Sequence, residues 1–162
     1  TKRIPNQAPQ LYAEVLSKGF AAINSRGFHR ADLYCRSLWD ICWRGIMIRL
    51  FKYHPISKCD QRKRNQWLYT EEDKQENVYP TLLPNWDRTA RSGKKARVYT
   101  NSTPAVFEKQ IEQVLDIIEH KQDEHKIVFL MSWNEWAEGN YVEPDLKYGH
   151  GYLDVLRKKI LR

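Results

Sequence analysis

Lys126-Ile127-Val128-Phe129-Leu130-Met131 runs directly into Ser132-Trp133-Asn134-Glu135-Trp136-Ala137-Glu138-Gly139. The first stretch is short and apolar, the pattern of a buried strand. The second packs two carboxylates, an amide and two indoles into residues 133–138, where that strand stops. Packing accounts poorly for such a set. Paired carboxylates beside flat aromatic faces suit chemistry at a glycosidic bond. Glu135 and Glu138 are therefore the candidate catalytic pair, with Trp133, Asn134 and Trp136 as candidate substrate contacts. The plain alternative makes the glutamates acids at a helix start and the tryptophans core residues.

The spacing adds a geometric demand. In a continued strand, residues 135 and 138 point to opposite faces. To converge on one bond, the backbone must leave extended geometry near Glu135, into a turn or a helical twist. A loop at the C-terminal end of a strand allows this, and α/β barrels carry their catalytic groups there. Carboxyls about 5 Å apart suit retention of configuration, and about 6.5–9.5 Å suits inversion through a water.

Further along the same loop, Tyr141 and Glu143 are additional site candidates. Glu143 has an equal claim to a turn beside Pro144. A second cluster, Trp86-Asp87-Arg88-Thr89-Ala90-Arg91, follows the proline-broken apolar stretch 78–84. Trp86 offers a ring to a sugar. Asp87 suits sugar hydroxyls or an arginine of the site, and Arg91 a carboxylate or phosphate. The alternative is a surface salt bridge. Both clusters follow strands, which predicts a shared face.

Elsewhere the periodicity predicts a helix over 103–118, capped by Thr103, with Pro104 in its first turn and Phe107, Ile111, Val114, Leu115 and Ile118 on one stripe. It predicts further helices over 8–24, 31–53, 65–76 and 151–161, a short strand over 96–99, and a loop or helix start over 58–64. Helices alternating with apolar strands favour an α/β fold with parallel strands. The chain reads as one domain over 1–162, with a basic helical region over 1–65 and motif-bearing βα units over 78–162.

Composition is that of a globular chain, 41% hydrophobic and 29% charged, with six Trp and nine Tyr. The net charge of +7 is uneven. Residues 1–65 hold 13 Lys/Arg against 4 Asp/Glu, and the remainder 14 against 16. The basic part suits phosphates, an acidic polymer or an anionic membrane surface, or is simply a solvated face. Cys35, Cys42 and Cys59 are odd in number. Their spacing predicts free thiols in a reducing compartment, Cys35 and Cys42 sharing one helix face, rather than a disulfide framework. No span is long and apolar enough to cross a bilayer. The chain opens on Thr1 rather than Met, the expectation for a trimmed start, and no signal peptide is visible. The five histidines show no ligand spacing, so no metal is expected.

The motifs Pro84-Asn85-Trp86-Asp87-Arg88-Thr89-Ala90-Arg91 and Trp133-Asn134-Glu135-Trp136-Ala137-Glu138-Gly139-Asn140-Tyr141-Val142-Glu143-Pro144-Asp145 resemble the C-terminal half of the WbsX-like family. Ser102-Thr103-Pro104 with Phe107, and Tyr148-Gly149 with Gly151-Tyr152-Leu153, fit the same pattern. One departure is Arg88, where the family usually carries Asn. The resemblance implies a glycosyltransferase of lipopolysaccharide O-antigen or other surface-polysaccharide synthesis. It also implies kinship with glycoside hydrolase family 99-like (β/α)8 TIM-type barrels. In the endo-α-mannosidases of that group the first glutamate is a base that helps the sugar's own 2-hydroxyl attack, and the second is the acid/base. Carried over, Glu135 is the base and Glu138 the acid/base, with no cofactor required. A full barrel takes roughly 250 residues, so the expectation is a partial barrel, its C-terminal half.

The implied partners are an oligosaccharide or polysaccharide substrate, with a nucleotide sugar or lipid-linked acceptor in the transfer reading. The implied location is cytoplasmic, peripheral at the inner membrane face. No Gly-rich phosphate loop is present, which weighs against a nucleotide-sugar donor. Hydrolysis is the alternative direction. A basic nucleic-acid or membrane-surface module is the alternative from another class, and nucleic acid is not the expected partner.

Overall fold

The computed structural model describes residues 8–25 and 27–161. The remainder of the basic region, 1–7 and Arg26, lies outside them, as does the trimmed start read at Thr1. In chain order the elements are α1 (Ala8–Ser17), β1 (Ile23–Ser25), α2 (Phe28–Cys35), α3 (Leu38–Phe51), β2 (Ser57–Asp60), α4 (Gln61–Asn65), β3 (Val78–Leu82), α5 (Thr89–Ser92), β4 (Arg97–Thr100), α6 (Pro104–Glu119), β5 (Phe129–Leu130), β6 (Asn134–Glu135), β7 (Asn140–Tyr141) and α7 (Gly151–Ile160).

Three strands run parallel in the order β1-β3-β5. A separate parallel ribbon joins β2 to β4, and β6 with β7 forms a small antiparallel hairpin. Parallel neighbours need a long crossover, and α6 supplies it between β3 and β5. The α/β expectation is met. Among the described residues the strands form these separate sheets and no closed barrel.

α6 shows how sequence sets the core. Thr103 Oγ1 accepts from Val106 N at 3.2 Å and Pro104 occupies the first turn, so the helix start is both satisfied and pre-shaped. Phe107, Ile111, Val114 and Ile118 recur at helical spacing and are buried. Each is worth about 1.5–3 kcal/mol against exposure. Phe107, Ile111 and Val114 share a core cluster with Leu82 from β3, Tyr152 from α7, and Val142 from just past the hairpin. Val142 thus ties the Glu135–Glu138 loop to the main core.

Several expectations are corrected. The predicted helix over 31–53 is two helices. Ser37 breaks it, its side chain accepting from Asp40 N at 3.0 Å to start α3 afresh. Residue 23, placed in the first helix, belongs to β1. Within 58–64, read as a loop or helix start, residues 58–60 belong to β2 (Ser57–Asp60) and α4 begins at Gln61, while 65–76 holds the last residue of α4 and the 3₁₀ turn Glu71–Lys74 in place of a helix. The strand over 126–131 shrinks to two residues. Cys35 and Cys59 form a disulfide, their Cα atoms 5.9 Å apart, because β2 runs alongside α2. Cys42 alone is free, on a different helix, so the argument for a reducing compartment falls. None of the described helices is long and apolar enough to cross a membrane.

α3 contrasts with α6. None of its residues is buried. Trp39, Trp43, Ile46 and Leu50 recur along one stripe that faces out, Trp39 at 80% exposure. Asp40, Arg44, Met47 and Ile48 turn the other way and are half-buried.

Candidate active site

β3 and β5 end level, Met131 N donating to Leu82 O at 2.9 Å. The chain leaving β3 carries Asn85 to Arg91, and the chain leaving β5 carries Trp133 to Glu138. The two clusters therefore rise from the C-terminal ends of adjacent parallel strands, where open α/β sheets and barrels place their ligands.

The backbone leaves extended geometry where the spacing requires. β6 ends at Glu135, and Trp136–Glu138 follow as a 3₁₀ turn closed by Gly139 in the left-handed region (φ 53°). A Cβ at Gly139 would lie 2.8 Å from the backbone N of Asp87. That approach is close because Asp87 N donates to the Glu138 carbonyl at 2.8 Å. Only glycine suits both the torsion and the contact.

Glu138 is held by the neighbouring loop. Arg91 Nη1 donates to its Oε1 at 3.0 Å, and Arg88 Nε lies 3.2 Å from the same oxygen. Its side chain is 17% exposed. The half-buried Glu135 carboxylate makes no ion pair among the described residues. Beside them Trp136 and Tyr141 stack, ring centroids 3.8 Å apart, and Trp136 Nε1 donates to Glu143 Oε2 at 2.9 Å. Burial pushes the Tyr141 phenol above its ordinary value, and Asp145 adds to the rise.

Asn134 pairs with Tyr141 across the hairpin, and Trp133 O accepts from Val142 N at 2.9 Å; both side chains are exposed. Trp86 is half-buried and packs toward Tyr99, 6.3 Å between centroids. Asp87 makes no ion pair with an arginine among the described residues. Its Oδ1 accepts from Thr89 N and Oγ1 at 2.9 and 2.6 Å, an Asx-type turn that starts α5. Trp86, Asp87, Gly139 and Tyr141 share the wall of a cavity of about 370 Å³. Trp136 and Tyr141 border a second hollow of about 580 Å³.

Two residues matter more than their sequence context suggested. Arg88, noted only as a departure, reaches Glu138. Asn85 clamps the hairpin like a strand edge: its Oδ1 accepts from Tyr141 N at 2.9 Å and its Nδ2 donates to Tyr141 O at 3.2 Å. Asn140 Nδ2 donates back to Asn85 O at 2.7 Å. An asparagine directly after a strand-ending proline was the available signal.

Parallel strands with paired loops at their C-terminal ends define an α/β protein with a crevice-type site. The profile of the family Glycosyltransferase WbsX matches residues 21–156, and the chain belongs to that family. It is also 33% identical over 86 residues to two proteins named Uncharacterized protein WxcX, from strain B100 of Xanthomonas campestris pv. campestris and from a second strain of that pathovar. The match covers 52% of this chain and 12% of each relative. No solved structure matches the chain.

Proposed function

We propose that the protein acts on glycosidic bonds, transferring a sugar during surface-polysaccharide synthesis, with Glu135 as base and Glu138 as acid/base. One observation carries this reading: Glu138, in the turn on the chain that leaves β5, is gripped by Arg88 and Arg91 from the chain that leaves the adjacent parallel strand β3. That grip orients a carboxylate one residue from Gly139, which lines the cavity of about 370 Å³ with Trp86 and Tyr141. In the first step Glu135 takes the proton of the sugar's own 2-hydroxyl as that oxygen attacks C1, and Glu138 gives its proton to the departing oxygen, which keeps the electron pair of the broken C–O bond. In the second, an acceptor hydroxyl attacks C1 and gives its proton to Glu138, the bond from C1 to O2 breaks, and O2 takes the proton back from Glu135. Trp136 and Tyr141 offer their faces to sugar C–H groups, and Trp133, Asn134, Trp86 and Glu143 border the same region. Separation of the two carboxyls near 5 Å would make the reaction retaining.

On the same reading β1, β3 and β5 are consecutive strands of the C-terminal half of a (β/α)8-type barrel, and the β2–β4 ribbon rises from the loops that follow them. Hydrolysis by a retaining endo-glycosidase uses the same two carboxylates with water as acceptor. The outward stripe of α3, aromatic and flanked by Arg49 and Lys52, supports peripheral contact with a lipid surface, where a lipid-linked acceptor would reside.

The test is turnover of surface-polysaccharide and α-mannosidic oligosaccharides, with and without glycosyl diphosphates, followed by mass spectrometry. Glu135→Gln and Glu138→Gln should each lose about 10²–10⁴-fold. Wild-type rates in both variants would refute the assignment.

A further inference from the structure

Next to the carbohydrate crevice lies a cavity of about 480 Å³ whose wall carries Arg36, Arg44, Arg88, Lys95 and Arg97. Trp86 lines both this cavity and the crevice, and Arg88 spans from it to Glu138. One carboxylate, Asp32, shares the wall, and it is already held by Arg97 and by the buried Arg64. Arg36 donates to Ser57 Oγ at 3.2 Å and Arg44 to the Pro55 carbonyl. Among the described residues Arg36, Arg44 and Lys95 have no carboxylate partner.

We propose that this cavity binds the diphosphate of a diphosphate ester, the leaving group of an activated sugar. The inference rests on the glycosidic-bond reading of the neighbouring crevice.

Three features point to this ligand. First, cations this close repel one another unless an anion lies between them. Burial holds the Arg36 guanidinium below its ordinary value, and Arg97 and then Arg44 push it the same way. Second, planar guanidiniums match phosphate oxygens in pairs. Arg36, Arg44 and Lys95 have no carboxylate in direct contact, Asp32 and Asp40 acting on Arg36 only through space, and a diphosphate brings more charge to such a wall than a single carboxylate. Third, the wall is backed by a further surplus. Arg64 is fully buried between the Phe28 and Tyr99 rings, and its Nη1 and Nη2 have no hydrogen-bond partner. The ring of Trp86 between cavity and crevice lets a sugar lie toward Glu138 while its diphosphate stays among the arginines. A cluster of side chains would then do what a Gly-rich loop does elsewhere.

The experiment is calorimetric titration of the whole protein with inorganic pyrophosphate, and with orthophosphate and a hexuronate oligosaccharide as controls. Uridine diphosphate and farnesyl diphosphate distinguish a nucleotide from a lipid as the carrier. Pyrophosphate should bind saturably and at least about tenfold more tightly than either control. Arg36→Gln and Arg44→Gln should each weaken it about tenfold or more. Lys95→Gln, on an exposed side chain, should weaken it several-fold with the melting temperature unchanged. Absence of saturable binding, equal affinity for the hexuronate, or unchanged affinity in folded Arg36→Gln and Lys95→Gln variants overturns the proposal. If pyrophosphate fails to bind while Glu138→Gln abolishes turnover, the cavity is misread and the crevice stands. If pyrophosphate binds while Glu138→Gln turns over normally, the crevice is misread and the cavity stands.

Discussion

Asp32 and Glu138 are each held by two guanidiniums, yet they sit in opposite settings. Asp32 is 7% exposed and ties α2, α4 and β4 together through Arg64, Arg97 and the Tyr99 hydroxyl at 2.8 Å. Burial pushes that phenol up to about 12, Asp32 adding to the rise. Glu138 is 17% exposed, and its partners both come from one short segment, Arg88 and the Arg91 of α5. The same ion-pair chemistry therefore serves two ends. Buried at the junction of three elements, a carboxylate fixes the fold. Partly exposed on a loop, as Glu138 is, it suits the reagent's part proposed for it. Removing each should damage a different property.

The largest effect is expected at Glu138. The Gln variant keeps hydrogen-bond acceptance from Arg91 and loses the proton-transfer group, so turnover falls while stability stays within about 1 kcal/mol of wild type, as for a partly exposed pair. Thermal melting beside the turnover assay checks this. A large loss of stability would make Glu138 another Asp32.

Asp32→Ala should do the reverse. It leaves Arg64 buried with no counter-charge, which costs about 3–5 kcal/mol. Urea denaturation measures it. An unchanged midpoint would mean that the Arg64–Asp32–Arg97 group is incidental to the fold.

Gly139→Ala comes next. A non-glycine residue in the left-handed region costs about 1 kcal/mol, and here the Cβ also meets the Asp87 backbone. The variant should lose more than about 1 kcal/mol and also lose turnover, because the approach that brings Arg91 to Glu138 is forced apart. Stability loss with full turnover would separate the loop contact from the chemistry.

How much of this contrast is legible in the sequence follows from range. The break at Glu135 is local: two carboxylates three apart after an apolar run already require a turn, and one is present. The α6 stripe is likewise written at helical spacing, with its cap. Asp87 does not pair with an arginine because a carboxylate two residues before Thr89 finds the nearby backbone sooner. β2 failed because Ser57-Lys58-Cys59-Asp60 alternates over too few residues to read as a strand. With β2 unseen, the Cys35–Cys59 pairing was invisible too, since the partners lie 24 residues apart. The Asp32 group depends on three separate elements, α2, α4 and β4, so no window of sequence displays it. Of the cavity's cations, Arg36 and Arg44 are visible only as part of the charge excess over residues 1–65, and Arg88 only as a departure from the family pattern.

Asp60 gives the smallest effect and completes the series. It has one cation partner, Arg62, and partial exposure. Hydrogen bonds from the Arg62 side chain, then from the Arg62 backbone N and from Asn101, hold its pKa at about 2 against the ordinary 3.8. Between these values the unfolded chain binds the proton and the folded chain does not, so stability rises with pH there. The contribution is complete above about pH 4 and is lost as pH falls through about 2. Asp60→Asn should flatten stability against pH over that window alone, seen as acid-unfolding curves that differ above pH 4 and merge near pH 2. The Asn still caps α4, so the neutral-pH loss is modest. Curves that stayed parallel down to pH 2 would show that exposure, not pairing, sets how much a carboxylate matters in this fold, and the contrast between Asp32 and Glu138 would then rest on burial alone.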